Sequence, residues 1–260
     1  MCRLFAQRAL LPSRAIEPLC RARNALRFQS HQHPHGWGIA WYTSSGIRVR
    51  KGVLPAHEDA AFLGAARLAR SAVILAHVRD ASVGEVSPAN THPFVNGHWT
   101  FCHNGTVARY KRSAAVREAV EAEIDAGLRP QLRGETDSER CLYLFLTRLL
   151  ARRRDAAGWL LDDLRAALQE TSAIVRRIAD RPGKESSLNF LVSDGRLLAA
   201  CRRGRPLWFH RPDGPGGLFR VASERVGSGD WEEVPEDGFV GVDDRLRVSA
   251  GELSSSRSAA

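Results

Sequence analysis

The chain opens with Met1-Cys2-Arg3-Leu4-Phe5-Ala6-Gln7-Arg8-Ala9, a β-rich run that places a cysteine at the start of the first predicted strand. Removal of Met1, which processing permits when the second residue is small, would give Cys2 both a thiol and a free α-amino group. An α-amino group titrates near pH 8, against about 10.4 for lysine, so a useful fraction is neutral at pH 7 and can accept the proton of the thiol. Taken alone, such a residue is more commonly a small buried cysteine in a first strand.

Length and composition are those of an ordinary globular protein. The chain has 260 residues, of which 43% are hydrophobic and 26% are charged, and this balance argues against disorder and against collagen-like or coiled-coil architecture. No apolar run approaches the roughly 18 residues that a membrane helix needs. Polar residues and a proline interrupt the stretch after Arg3, which argues against a secretory signal. The sequence therefore predicts a cytoplasmic protein without a membrane segment.

Charge and cysteine content exclude further classes. The formal net charge is +9, but the basic residues are nearly all arginines spread along the chain, and no nucleic-acid-binding motif accompanies them. We interpret them as a solvated basic face and predict no nucleic-acid partner. The five cysteines lie far apart and form no Cys-x-x-Cys pair. This spacing favours neither a disulfide framework nor a zinc ribbon, and it leaves room for one reactive thiol.

Strand-like and helix-like patterns follow one another in blocks. The strand-like runs are 2–9, 37–43, 47–50, 71–78, 99–103, 187–193, 196–201, 207–210, 218–223 and 239–248. The helix-like runs are 58–70, 113–126, 136–152 and 160–179. Strands, then helices, then strands again predict two sheets with a helical layer. The Ser- and Ala-rich stretch 249–260 is predicted to be a loose, flexible tail, which leaves residues 2–248 as a single domain.

The predicted helix 136–152 begins with a capping-box pattern. In Thr136-Asp137-Ser138-Glu139, the threonine hydroxyl and the glutamate carboxylate are expected to accept hydrogen bonds from each other's backbone amides. Asp137 then stands in the first turn, where a negative charge complements the helix N-terminus.

Six short motifs occur in one order along the first half of the chain. They are Cys2-Arg3-Leu4, His35-Gly36-Trp37-Gly38-Ile39-Ala40, His77-Val78-Arg79, Asn90-Thr91-His92-Pro93-Phe94, His103-Asn104-Gly105 and Glu135-Thr136-Asp137-Ser138-Glu139. In this order and at roughly these separations, the chain resembles the class II glutamine amidotransferases. It is most similar to small stand-alone members, which include the γ-glutamyl hydrolase of ergothioneine biosynthesis. The motifs cover residues 2 to about 140, with a looser similarity at Ala222-Ser223-Glu224.

The resemblance implies a fold and a reaction. The expected fold is α+β, a four-layer αββα sandwich of the N-terminal nucleophile hydrolase type, with Cys2 at the end of a central strand. Cys2 is expected to attack the γ-amide of glutamine, with its own α-amino group as base, and to form a γ-glutamyl thioester that water hydrolyses. The Asn104 side-chain amide and the Gly105 backbone N–H are expected to stabilise the oxyanion. The resemblance calls for no cofactor and no metal.

The resemblance also assigns residues to substrate recognition. Arg79 is expected to bind the α-carboxylate of the substrate, for which a guanidinium is a planar, bidentate partner. Asp137 is expected to bind the α-ammonium group. His92 is expected to shape the glutamine pocket, either by direct contact or by packing, and Trp37 to line the pocket of the nucleophile.

One motif departs from the family pattern. Family members commonly carry Asp-Gly-Trp-Gly, whereas this chain has His35 in place of the aspartate, so no role of that acidic residue transfers. His31, His33 and His35 alternate in a predicted loop. Alternate residues of a loop rarely converge, and no carboxylate is adjacent, so we predict no metal site there.

These observations predict an enzyme and leave its substrate open. The main hypothesis is hydrolysis of the γ-amide of glutamine. Because Arg79 and Asp137 would recognise any free amino-acid head group, a bulkier γ-glutamyl amide is the alternative substrate. A non-catalytic glutamine-binding subunit is the second alternative. No synthase-like second domain is visible in the sequence, so ammonia that is used productively would pass to a separate synthase.

Overall fold

The computed structural model describes residues 2–152, 158–211, 214 and 216–253. The strands in these ranges are β1 (Arg3–Arg14), β2 (Trp37–Thr43), β3 (Gly46–Gly52), β4 (Arg70–Val78), β5 (Phe94–Asn96), β6 (Trp99–Thr106), β7 (Ser187–Ser193), β8 (Leu198–Cys201), β9 (Trp208–His210), β10 (Phe219–Ala222), β11 (Trp231–Glu233), β12 (Gly238–Val242) and β13 (Val248–Glu252). The α-helices are α1 (Leu26–Gln29), α2 (Ala60–Leu68), α3 (Ala114–Ala122), α4 (Asp137–Leu150) and α5 (Leu161–Ala179). Shorter turns are a π-helical turn at Glu17–Arg21 and 3₁₀ turns at Tyr110–Arg112 and Arg129–Gln131.

The strands form two antiparallel sheets. The first sheet has the order β11-β9-β10-β1-β4-β2-β3, and the second has the order β13-β12-β8-β7-β6-β5. β1 therefore lies in the middle of the first sheet, paired with β4 on one side and β10 on the other. This is the central position that was predicted for the strand that follows Cys2.

Three apolar cores separate four layers. One core lies between the two sheets and contains Leu4, Leu75 and Leu191. A second lies between the first sheet and a layer made of the π-helical turn, α1 and α2, and the third lies between the second sheet and α3, α4 and α5. The four-layer αββα sandwich expected from the sequence is confirmed.

The alternation of side chains along the strands decides what can face the inter-sheet space. On β1, Leu4 belongs to the inter-sheet core and Phe5 to the core on the opposite face, so Cys2 faces the second sheet. On β6, Cys102 belongs to the inter-sheet core and Phe101 to the helical side. Asn104 therefore faces the first sheet.

Two sequence-based expectations about the C-terminal region are corrected. The single strand predicted at 239–248 is a hairpin, β12 and β13, whose turn is closed by Asp243, since its Oδ1 accepts from the N–H groups of Arg245 and Arg247. The predicted tail begins too early, because residues 249–252 belong to β13 and pair with β12. The rest of the predicted tail, from 254 onward, lies outside the described residues.

The capping box at α4 is half formed. Thr136 Oγ1 accepts from the Glu139 N–H at 3.2 Å, as predicted. The Glu139 carboxylate instead accepts from the N–H groups of Arg133 and Gly134 at 2.9 and 2.8 Å. Glu139 thus holds the backbone of residues 133–134, which precede α4, instead of accepting from the N-cap amide.

Candidate active site

Segments that are distant in sequence meet at one end of the two sheets. β4 ends opposite the start of β1, so Arg79, which follows β4, lies beside Cys2, which precedes β1. β6 ends at the same place in the facing sheet, where the Val107 N–H donates to Asp137 Oδ2 at 2.8 Å. The antiparallel topology therefore gathers a thiol, a guanidinium and a carboxylate at one edge.

These segments enclose a cavity that we call the small cavity. It is lined by Cys2, Arg79, Asp80, Ser82, Val83, Asn90, His92, His103, Gly105, Thr136, Asp137 and Ser138. Its volume is about 20 Å³, which is room for about one water molecule. Five of the seven predicted site residues line it, and Asn104 and Trp37 do not.

The Cys2 thiol is held by the backbone of a single residue, Asp80. The Asp80 N–H donates to Cys2 Sγ at 3.3 Å, and the thiol donates to the Asp80 carbonyl oxygen at 3.5 Å. Burial raises the pKa of the Cys2 thiol and outweighs the hydrogen bond from Asp80, which lowers it. The thiol is therefore protonated at neutral pH, and a nucleophilic role for Cys2 requires a base.

Asn104 is fixed against the strand that starts after Cys2. Its Nδ2 donates to Ser223 Oγ at 3.0 Å, and the same hydroxyl oxygen accepts from the Leu4 N–H at 3.0 Å. An amide nitrogen carries two hydrogens, so one remains for a further acceptor. Ser223 thus sets the orientation of the amide that was predicted to stabilise the oxyanion.

Position 105 accepts only glycine. A Cβ at Gly105 would lie 1.8 Å from the Ser187 carbonyl oxygen on β7 and 2.6 Å from His103 Nε2. β5, the neighbour of β6 on its other side, pairs only as far along as Phe101. The edge of β6 at Gly105 is therefore left open toward the small cavity.

Arg79 holds a loop over the cavity. Its Nη1 donates to the Glu85 carbonyl at 2.8 Å, and its Nη2 donates to the Val83 and Gly84 carbonyls at 2.9 and 3.3 Å. Burial lowers the pKa of the Arg79 guanidinium below its ordinary value, which marks a partly desolvated cation. A guanidinium has five N–H donors, so Arg79 keeps donors for an anion.

Asn90 anchors the far end of the same loop. Its Oδ1 accepts from the Glu135 N–H at 2.8 Å, and its Nδ2 donates to the Glu85 carbonyl at 3.2 Å. The loop 82–90 is thereby tied to the segment that leads into Asp137. Both ends of the loop thus depend on residues of the predicted motifs.

Asp137 is a buried carboxylate in a fixed position. Its Oδ2 accepts from Val107, and its Oδ1 accepts from the Ser138 N–H at 2.9 Å. The side chain is 3% exposed. Oδ1 also accepts from Ser138 Oγ at 3.4 Å, whereas Oδ2 has a further lone pair, so Asp137, which lines the small cavity, retains acceptor capacity at Oδ2.

Two buried histidines, His92 and His103, line the small cavity, and His77 packs against His92. The rings of His77 and His92 lie 4.2 Å apart between centroids, and none of their four ring nitrogens has a hydrogen-bond partner among the described residues. Burial lowers the pKa of His77 to about 3 and the pKa of His92 well below its ordinary value. His103 differs, because its Nδ1 lies 2.9 Å from Ser138 Oγ and its Nε2 lies 2.9 Å from the Ser187 carbonyl oxygen. His92 therefore contributes an uncharged wall to the small cavity, and its pocket-shaping role stays a prediction.

Trp37 does not line the cavity. Its ring packs in the core between the first sheet and α2, edge-on to Phe62, and its Nε1 donates to Asp59 Oδ2 at 2.8 Å. The reason is side-chain alternation, since Trp37 shares a strand face with Ile39 and Trp41 in that core. The predicted pocket role of Trp37 is corrected to a packing role.

His35 stands close to the residue that holds the thiol. Its Nδ1 lies 3.2 Å from Asp80 Oδ1 and 3.1 Å from the Ala81 backbone nitrogen. The sequence shows the departure from the family pattern but not this contact. Asp80 itself was not predicted, because its hydrogen bonds with Cys2 are made by its backbone. Ser223 belongs to the segment 222–224, where the chain has a looser similarity to the family. Its hydrogen bond with Asn104 accounts for that similarity.

A second, larger pocket adjoins the small cavity, and we call it the arginine pocket. It is lined by Arg3, Arg23, Asn24, Asn104, Arg205, Pro206, Trp208, Ser223, Glu224, Arg225 and Gly227, and its volume is about 880 Å³. Residues that are adjacent in sequence line different spaces: Cys2 and Gly105 line the small cavity, whereas Arg3 and Asn104 line the arginine pocket. The predicted nucleophile and oxyanion donors therefore form the boundary between them.

Two other kinds of feature are absent from the described residues. No group of three or more His, Cys, Asp or Glu side chains among them is arranged to hold a metal ion. No helix among them is long and apolar enough to cross a membrane.

The fold and the edge on which these residues meet define a class. Two antiparallel sheets between helical layers, with a cysteine directly before a central strand, are the architecture of an N-terminal nucleophile hydrolase. Residues 1–224 match the glutamine amidotransferases of class II. The chain belongs to this family of enzymes.

Individual relatives support this assignment. An uncharacterized protein of Methanocaldococcus jannaschii is 32% identical over 228 residues, covering 84% of this chain and 58% of that protein, so the chain spans about three fifths of that relative's length. The gamma-glutamyl-hercynylcysteine sulfoxide hydrolase of Mycolicibacterium smegmatis is 28% identical over 228 residues, covering 85% of this chain and 83% of that protein. Among solved structures, a glutamine aminotransferase class-II domain protein from Silicibacter pomeroyi has a TM-score of 0.67 at 21% identity, covering 96% of this chain and 99% of that one.

Proposed function

We propose that the chain hydrolyses the γ-amide bond of a γ-glutamyl compound through Cys2, with glutamine as the default substrate. One observation carries this proposal: the small cavity is lined together by the Cys2 thiol, the Arg79 guanidinium, the Asp137 carboxylate and Gly105. A nucleophile, a cation, an anion and a position open to close approach are the parts that this reaction requires.

The base in this reaction is the α-amino group of Cys2 once Met1 has been removed. It takes the thiol proton, a bond forms between Sγ and the carbonyl carbon of the γ-amide, and the C–N bond of that amide breaks as the leaving amine accepts a proton. Water then hydrolyses the thioester, which restores the thiol and releases glutamate. The raised pKa of the Cys2 thiol supports the need for a base, and an α-amino group that titrates near pH 8 suits the task at neutral pH.

Substrate recognition rests on Arg79 and Asp137. The guanidinium binds the α-carboxylate, and the fixed Asp137 carboxylate binds the α-ammonium group. The small cavity holds about 20 Å³, which is too small for a glutamyl group. Entry of the substrate therefore requires the loop 82–90, whose carbonyls occupy Arg79, to move away from the cavity.

A bulkier γ-glutamyl amide is a second candidate, and the arginine pocket favours it. Its volume of about 880 Å³ lies within the roughly 300–1,000 Å³ typical of small-molecule sites. Ammonia, the leaving group of glutamine, is too small to require a pocket of this size. If glutamine is the natural substrate and its ammonia is used productively, a separate synthase is the partner that receives it; otherwise the enzyme is simply a hydrolase.

The test compares glutamate release from L-glutamine with release from neutral γ-glutamyl amides of increasing size. We expect the wild-type protein to hydrolyse members of this series and Cys2→Ala to hydrolyse none, while Cys20→Ala, a buried-cysteine control, stays active. Glutamine binding without turnover by the wild-type protein would instead support the non-catalytic alternative. A preference of about a hundredfold for a large amide, or about 2.7 kcal/mol, would replace glutamine as the default substrate.

A further inference from the structure

The arginine pocket carries a charge that glutamine hydrolysis does not explain. Among the described residues that line it, four are arginines and one, Glu224, is a carboxylate. Glu224 is already satisfied, because its Oε1 accepts from Arg3 Nε at 2.5 Å and its Oε2 accepts from Asn24 Nδ2 at 2.8 Å. The pocket therefore has an uncompensated positive charge.

Three arginines supply that charge. No carboxylate of the described residues lies within ion-pair distance of the guanidinium groups of Arg23, Arg205 or Arg225. Arg225 is stacked over the Trp208 ring, with 4.9 Å between its Cζ and the ring centroid. Arg205 Nε donates to Ser187 Oγ at 3.2 Å, which leaves the terminal nitrogens of its guanidinium available. Contacts with Ser187 and Trp208 thus orient two of these groups without a carboxylate partner.

The position of the pocket relative to Cys2 gives it a role in the reaction. In a bound substrate the head group occupies the side of Arg79 and Asp137, and the scissile carbonyl lies at Cys2 and Gly105. The leaving amine then extends away from Arg79 and Asp137, because the scissile carbonyl lies between it and the head group. Asn104 and Arg3 line the arginine pocket on that side.

We propose that the arginine pocket binds the leaving amine and selects amines that carry an oxyanion, with a carboxylate at the end of an amino acid or short peptide as the intended group. This inference rests on the proposed γ-glutamyl hydrolysis and names its substrate class. Guanidinium groups bind carboxylates with paired hydrogen bonds, and the Trp208 ring offers an apolar surface for the intervening side chain. The reaction releases glutamate and a free amino acid or peptide, with water as the only co-reactant.

The experiment compares two substrates that differ only in charge. They are γ-glutamylalanylglycine, called the acid, and the same compound with its C-terminal carboxylate converted to the amide, called the amide. A third compound carries a phosphonate in place of the carboxylate. It separates carboxylate recognition from general anion recognition. We expect the acid to exceed the amide in kcat/KM by at least about tenfold. We expect the phosphonate to fall between them.

Two variants test whether the arginine pocket causes the preference for the acid over the amide. In the double variant Arg205→Gln, Arg225→Gln, the acid and the amide should approach equal kcat/KM. Arg245 is an exposed arginine of the β12–β13 turn. Arg245→Gln removes one positive charge outside the arginine pocket, so the preference for the acid over the amide should persist in this variant.

The outcomes separate this inference from the proposed function. Equal kcat/KM for acid and amide in the wild-type protein, or a preference that survives in the double variant, would overturn the inference while leaving γ-glutamyl hydrolysis intact. A phosphonate preferred over the carboxylate would overturn the assignment to amino acids and peptides. Absence of hydrolysis with every γ-glutamyl compound, glutamine included, would overturn both.

Discussion

At the scale of single residues, the proposed substrate recognition depends most on Arg79. Its guanidinium is partly buried and bonds to three loop carbonyls, and the proposal asks it to bind a carboxylate bidentately. Arg79→Lys keeps the charge but loses the paired geometry, so we expect kcat/KM to fall by more than about tenfold. The measurement is kcat/KM on glutamine and on a γ-amide that lacks the α-carboxylate.

Arg70→Lys is the matched control for that substitution. It lies on β4 as well, at the far end from the site and exposed, and it should leave both activities unchanged. If Arg79→Lys slowed the carboxylate-free substrate as much as glutamine, Arg79 would act on the loop 82–90 rather than on the substrate.

Residue types alone located part of the site and could not locate the rest. Cys2, Arg79, Gly105, Asp137 and His92 were predicted from motif resemblance, and the structure brings them to one cavity. The hold of Asp80 on the thiol is a backbone contact, and backbone contacts leave no mark on residue type. Alternation in the sequence places Trp37 on the same strand face as Ile39 and Trp41, but residue types alone could not show which face of β2 packs against α2.

At the scale of elements, the junction of β6 and β7 sets the position of Gly105, which we propose as an oxyanion donor. A Cβ at position 105 would lie 1.8 Å from the Ser187 carbonyl oxygen, so Gly105→Ala must push the two strands apart. We expect a loss of at least about a hundredfold in kcat, since removal of one oxyanion donor typically costs about 2.7–4 kcal/mol. Steady-state kinetics on glutamine measure this loss.

Gly64→Ala is the control for this glycine. Gly64 lies within α2, and a Cβ there would contact nothing within 4 Å. Its kcat should equal that of the wild-type protein, and its stability should rise slightly because alanine favours a helix over glycine. An active Gly105→Ala variant would show that the oxyanion is stabilised elsewhere.

The start of α4 offers a second element-scale test. Thr136 caps α4 and Ser113 caps α3, each accepting from the N–H three residues on. Thr136→Ala and Ser113→Ala should each lower the free energy of unfolding by about 1 kcal/mol. Only Thr136→Ala should also raise KM, because it loosens the turn that presents Asp137.

Denaturant unfolding and steady-state kinetics on the two cap variants provide the comparison. If Ser113→Ala impaired catalysis as much as Thr136→Ala, the effect would be global destabilisation. Unchanged KM in Thr136→Ala would mean that Asp137 is held by Val107 and Ser138 alone.

Element prediction from the sequence succeeded where a periodic run ends in a strong turn signal. The bounds of β2 and β7 were predicted as observed, because Ser-Ser-Gly and Asp-Gly turns follow them. The strand predicted at 239–248 failed because its turn is made by side-chain acceptance at Asp243 and contains no glycine or proline. β5 and β11 have three residues each, too few to show a period.

At the scale of the whole molecule, the buried histidines make stability depend on pH. His77 and His92 have pKa values lowered by burial, to about 3 in His77. In the unfolded chain they would titrate near 6.5, so below that pH the unfolded state binds more protons than the folded state. Stability is therefore lost as pH falls from 6.5 toward the folded pKa, by up to about 1.4 kcal/mol per pH unit for each histidine.

Denaturant unfolding at pH 7, 6 and 5 measures this loss before most carboxylates titrate. His92→Gln should reduce the dependence on pH, whereas His98→Gln, which replaces an exposed histidine, should leave it unchanged. A free energy of unfolding that is constant between pH 7 and 5 would contradict the neutral, buried state of these rings.

The four-layer arrangement links these scales, because it places a thiol at the start of a central strand and leaves a pocket on each side of it. The central claim is that Cys2, freed of Met1, is the nucleophile. The most direct test is to treat the wild-type protein with an electrophilic glutamine analogue and to map the adduct by intact-mass and peptide mass spectrometry. We predict one adduct, on a peptide whose first residue is Cys2, with loss of glutamine hydrolysis in proportion to labelling. An adduct on Cys20, Cys102, Cys141 or Cys201, or full activity in protein whose mass still includes Met1, would contradict the claim.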